Sequence, residues 1–116
     1  MMKRVGLSEL LSDMDADTAR RLELFALINL GVVELLASGS LSSAEATQFF
    51  FNAENCMFVR KRLREKIADQ IMSHGVQLRD LFDVLPGREA QQEFQRELGA
   101  IRSLCLQLLR QHELVA

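Results

Sequence analysis

The stretch LELFALINLGVVELLA, residues 22–37, decides the fold. Its two acids, Glu23 and Glu34, stand eleven residues apart, so at about 100° per residue they point almost the same way. Leu27 and Leu30 lie between them on that stripe. The rest of the circumference carries Leu22, Leu24, Phe25, Ile28, Val32, Val33, Leu35 and Leu36. Such a run reads as a helix over about 16–37. Asp15 and Asp17 favour its start, because free N–H groups and the helix dipole attract negative charge. Ser38-Gly39 marks its stop, since Gly tolerates the left-handed closing position. A helix that is apolar on nearly every side is either central in its bundle or covered by a second chain. Full burial of one Leu contributes roughly 1.5–3 kcal/mol, so two leucines left in water would be costly. Asn29, inside the run, is expected to be partly buried and to help fix register.

Working outward, the punctuation predicts further helical pieces and no strand. Leu7, Leu10, Leu11 and Met14 recur at i, i+3, i+4 and i+7, a short opening helix with Ser8 available as its cap. Ser42 and Glu45 have the spacing of a capping box. They open a helical stretch that runs to about His74, with Gly75 as the expected stop. Asn52-Ala53-Glu54-Asn55 in its middle predicts a kink or restart, because Asn side chains compete for backbone hydrogen bonds. Leu78, Leu81, Phe82 and Leu85 mark a short amphipathic piece that Pro86 ends by pushing Leu85 out of helical geometry. The last helix spans about 87–113 with Phe94, Leu98, Ile101, Cys105, Leu108 and Leu109 on one side. The fold class is all-α: a compact bundle of three long helices, the middle one kinked, plus two short segments. Residues 1–116 are expected to form a single helical domain.

Composition narrows the function classes. Of 116 residues, 48% are hydrophobic and 26% charged, which argues against wholesale disorder. A net charge of −2 gives no general pull toward nucleic acid or anionic membrane. The most apolar window is interrupted by Glu23, Asn29 and Glu34, short of the roughly 20 residues that a membrane span requires. No signal-peptide pattern opens the chain, so a cytoplasmic protein with Cys56 and Cys105 reduced is the expectation.

Candidate chemistry is sparse. Asp13, Asp15 and Asp17 have the first spacings of a calcium loop, but Thr18 and Leu24 occupy the positions that need Gly and Glu. The only histidines, His74 and His112, are expected at helix ends, where the dipole favours them. With Cys56 and Cys105 they make no local metal-ligand pair. Neither cysteine is placed as a nucleophile, since both lie on apolar stripes. No catalytic residue, metal or cofactor is expected.

Three features point instead to contact with something else. Phe49-Phe50-Phe51 spans about 200° of a helix, too wide for one core face. Either the helix bends at Asn52, or one ring fills a partner's groove, with Phe50 and Phe51 the candidates. Arg60, Lys61, Arg62, Arg64 and Lys66 set five cations against Glu65, a run able to meet phosphates. In a helix regular from Cys56 to His74, Arg60 would project from the apolar stripe of Cys56, Val59, Leu63, Ile67 and Ile71, and Arg64 from its edge. A guanidinium so placed needs a carboxylate or carbonyls, for which Asp80, Asp83, Glu45 and Glu54 are candidates. The sequence therefore leads to a non-enzymatic helical interaction or regulatory module. It is expected to self-associate as a homodimer, or to bind a protein, through Leu27, Leu30, Phe50 and Phe51. The alternatives are a nucleic-acid-binding regulator on the basic run and a small-ligand or anion-binding bundle centred on Arg60.

Overall fold

A computed structural model describes residues 4–12 and 17–112. The expectations for Asp13, Met14, Asp15, the His112 side chain and Glu113 lie outside the described residues. Within them the chain is all-α, with no strand. Helix α1, Leu7–Ser12, is short, and α2, Thr18–Ala37, contains the apolar run of residues 22–37. Helices α3, Ser43–Phe49, and α4, Ala53–Phe58, follow. A π-turn over Val59–Leu63 then leads to α5, Lys66–Val84, and α6, Gly87–His112.

Local chemistry explains most of these boundaries. The Asp17 carboxylate accepts from the N–H groups of Ala19 and Arg20 at 3.1 and 3.3 Å, capping α2. At its other end Gly39 turns left-handed at φ 78, while the Ser40 N–H donates to Leu35 and the Gly39 N–H to Leu36. That pairing satisfies two carbonyls that the helix leaves open. The Ser42–Glu45 capping box is present in both directions, at 3.0 and 3.1 Å. Leu85 is extended at φ −114, ψ 149, as the following Pro86 requires. Ser8 is not the first cap: α1 begins at Leu7, and Gly6 supplies the carbonyl for the Glu9 and Leu10 N–H groups.

Three long helices form the frame, and α6 is its centre. It packs along both α2 and α5, which share no comparable contact with each other. The α6 stripe is as expected, with Phe94, Leu98, Ile101, Cys105 and Leu108 buried and Leu109 partly covered. Across from it α2 buries Leu22, Phe25, Ala26, Asn29, Val32, Val33 and Leu36.

The middle of the chain departs from expectation. The stretch predicted to run to His74 restarts at Asn52, as its Asn residues suggested, but breaks a second time at Arg64, and Gly75 is no stop. At the first break the N–H groups of Phe50 and Phe51 both donate to Ala46, and the Asn52 side chain closes α3 while capping α4. This bend turns all three rings inward. Phe49, Phe50 and Phe51 are 7%, 0% and 2% exposed, so Phe50 and Phe51 are core residues and not interface residues. At the second break Arg64 adopts the left-handed conformation, φ 52, and its N–H reaches back five residues to Val59. The Glu65 carboxylate then caps α5. Gly75 lies inside α5 because the Phe51 ring covers its backbone: a Cβ there would come within 2.1 Å of the ring. Residues 78–84, expected as a separate short helix, continue α5.

Gly75→Ala is therefore expected to destabilise the fold by about 1–3 kcal/mol through overpacking. Gly99→Ala in α6, where a Cβ would meet nothing, should stabilise by up to about 1 kcal/mol. Urea midpoints of the two variants check this, and opposite signs are the expected result.

Candidate interaction surface

The outward side of α2 is where apolar residues exceed what the bundle can cover. Leu27 is 49% exposed and Leu35 36%, while Leu24, Ile28 and Leu30 are only partly buried against the core. Leu24, Leu27, Ile28, Gly31 and Leu35 fall within an arc of about 100°, over roughly 17 Å of helix. The reason is positional: α6 takes the central place, so α2 is packed from one side and keeps its other apolar face. Of the sequence-derived interface residues, Leu27 is half exposed and Leu30 is partly covered by the core, whereas Phe50 and Phe51 are buried in it. Leu24, Ile28 and Leu35 were legible as apolar positions, but not as the ones left outside. Other large apolar residues are exposed as well: Leu10 on α1, Met57 on α4, Val76, Phe82 and Val84 on α5, and Leu106 on α6, as single exposed apolar residues commonly are.

The second sequence-derived site comes out differently. Since the chain is π-helical from Val59 and reverses at Arg64, Arg60 and Arg64 do not sit against a regular apolar stripe. Both guanidiniums are exposed, as are Lys61, Arg62 and Lys66. The suggested carboxylate partners do not meet Arg60. Glu54 pairs with Arg4 at 3.5 Å, Glu45 serves the capping box, and Asp80 and Asp83 are exposed farther along α5. Hydrogen bonds from Ser42, its backbone N–H first, hold the Glu45 carboxyl below the ordinary carboxylate range. Arg60 instead borders a shallow groove of about 350 Å³ with Cys56, Asp69 and Val76.

A larger cleft, about 660 Å³, opens between Arg4, Gln48, Phe49 and Arg79. Most of its polar groups have structural duties. Arg4 pairs with Glu54, Glu45 and Asn52 cap helices, and the Thr47 hydroxyl donates to Ser43 and Ala44. Arg79 was not singled out by spacing, and its only signal is its position beside the α3 break.

His74 lies inside α5, not at a helix end, and its Nδ1 contacts the Glu97 carboxylate on α6. No cluster of metal-ligating side chains occurs among the described residues, nor a helix long and apolar enough to cross a membrane. The chain matches no family model, no curated protein and no solved structure.

Burial pushes the Cys105 thiol up to about 12 and raises that of Cys56, where the Arg60 charge pulls down and the Asp69 charge adds to the rise. At pH 8 both thiols therefore carry less thiolate than a free cysteine. With Ellman's reagent the native protein should show one slow thiol, Cys56, and a silent Cys105. Urea should release two fast ones.

Proposed function

We propose that this chain is a non-enzymatic helical interaction module that self-associates, as a homodimer, through the outward face of α2. The observation that carries the reading is Leu27, half exposed among partly covered leucines on a helix packed from one side only. Desolvating that face rewards contact at roughly 25 cal/mol per Å² of apolar area, and an apolar strip framed by charged residues is the usual composition of an interface centre. Arg20, Glu23 and Glu34 supply the frame here. Sedimentation equilibrium is expected to show a dimer that the double variant Leu27→Lys, Leu30→Lys weakens by about tenfold or more, with helicity retained by circular dichroism. A wild-type chain that stays monomeric at high micromolar concentration would reject the reading.

One observation favours a second reading, binding to nucleic acid. Residues 60–66 hold five cations and one acid, a local charge of +4, while the whole chain carries −2, so the remainder carries −6. All five cations are exposed around the corner between α4 and α5. Phosphates would displace counterions there, with affinity falling as salt rises by about 0.9 log units per neutralised phosphate for each log unit of salt. Fluorescence anisotropy with mixed duplex DNA and RNA at two salt concentrations tests it. Lys61→Glu with Arg62→Glu should abolish low-salt binding, and absence of any binding by the wild type removes this reading.

A further inference from the structure

The charges and the glycine on the outward face of α2 say more than that the face is apolar. Arg20, Leu27 and Glu34 follow one another at seven-residue intervals, so all three lie within an arc of about 40°. Arg20 and Glu34 are both exposed, and neither forms an ion pair among the described residues. Fourteen residues, about 21 Å, keep them from reaching each other within one helix. Gly31 stands on the same face, exposed, in the middle of α2. Glycine weakens a helix interior, and no contact inside the subunit requires it: a Cβ at Gly31 would meet nothing within 4 Å, in contrast to Gly75.

We infer that a second copy of this chain docks α2 against α2 in antiparallel fashion, about a two-fold axis at Leu27. This rests on the self-association proposed above and specifies its geometry. The axis places Leu27 against the partner's Leu27. Residues equally far from Leu27 on either side then come together, so Arg20 meets the partner's Glu34, and the same pair forms again by symmetry. A parallel arrangement would set arginine against arginine and glutamate against glutamate, a repulsion that the antiparallel one converts to attraction. Leu24 and Gly31 lie on the same flank of the α2 face, three residues before Leu27 and four after. Leu24 therefore enters the space above the partner's Gly31, where the missing side chain lets the helices approach. The surface is self-complementary, as a two-fold interface must be.

Charge reversal on the full-length chain, followed by sedimentation equilibrium at low salt, tests the geometry. Arg20→Glu and Glu34→Arg are each expected to raise the dimer dissociation constant about tenfold, and the double reversal to return it close to the wild-type value. A purely structural effect of either side chain would not be rescued in this way. Gly31→Leu supplies an independent readout: it should weaken the dimer while raising the melting temperature of the dilute monomer, because leucine is the better helix former. A wild-type dimer indifferent to the single reversals, or not restored by the double one, overturns the antiparallel docking and leaves self-association standing. A chain that remains monomeric to about 0.5 mM overturns both, since that concentration would populate even a millimolar-range dimer appreciably.

Discussion

The side-chain amide of Asn55 holds together the parts of this protein that no regular helix joins. It is 2% exposed. Its Oδ1 accepts from the Leu7 N–H at 3.0 Å, and its Nδ2 donates to the carbonyls of Val5 and Phe50, both at 2.8 Å. The bend that turns three consecutive phenylalanines inward leaves backbone groups without helical partners. A buried group of that kind costs about 1–3 kcal/mol when unmet. Asn55 meets the Phe50 carbonyl and, in the same stroke, anchors the strand of chain that leads into α1. With the bend held, Phe51 can lie over Gly75, and α3 is docked on α5.

Helix α2 is subject to opposing demands from its two sides. Its inner side buries Asn29 completely, with Nδ2 donating to the Phe25 carbonyl at 2.9 Å and Oδ1 without a partner among the described residues. Its outer side keeps leucines in water. Both features lower the stability of the isolated subunit, and only the outer one can be relieved by another molecule. Under the proposed self-association, the outer face is the one that a second copy would cover. The polar groups that line the larger cleft are largely engaged in capping and a local ion pair.

Much of the local architecture was legible from short-range chemistry. Asp17, Ser42 with Glu45, Gly39 and Pro86 each act on backbone groups within a few residues, so their effects follow from spacing. The α6 stripe was legible for a related reason: a helix packed along one face from end to end shows that face as a period. Gly75 misled, because a glycine followed by a fresh apolar pattern looks like a terminator, and the ring that covers it comes from 24 residues away in the chain. Arg60 misled because its placement assumed an unbroken helix, whereas the π-turn and the reversal at Arg64 rotate everything after Val59. The Phe49–Phe51 set was legible as a conflict, but not in its resolution.

The sequence by itself determined the all-α class, most helix ends and the excess of apolar residues on α2, since these depend on backbone capping and on periodicity along one segment. Only the tertiary structure decided which helix is central, which leucines remain outside and which phenylalanines are hidden. Those outcomes depend on contacts between segments far apart in the chain. Packing is shared among all helices at once, and a single helix's pattern cannot say which of its faces the others will leave uncovered.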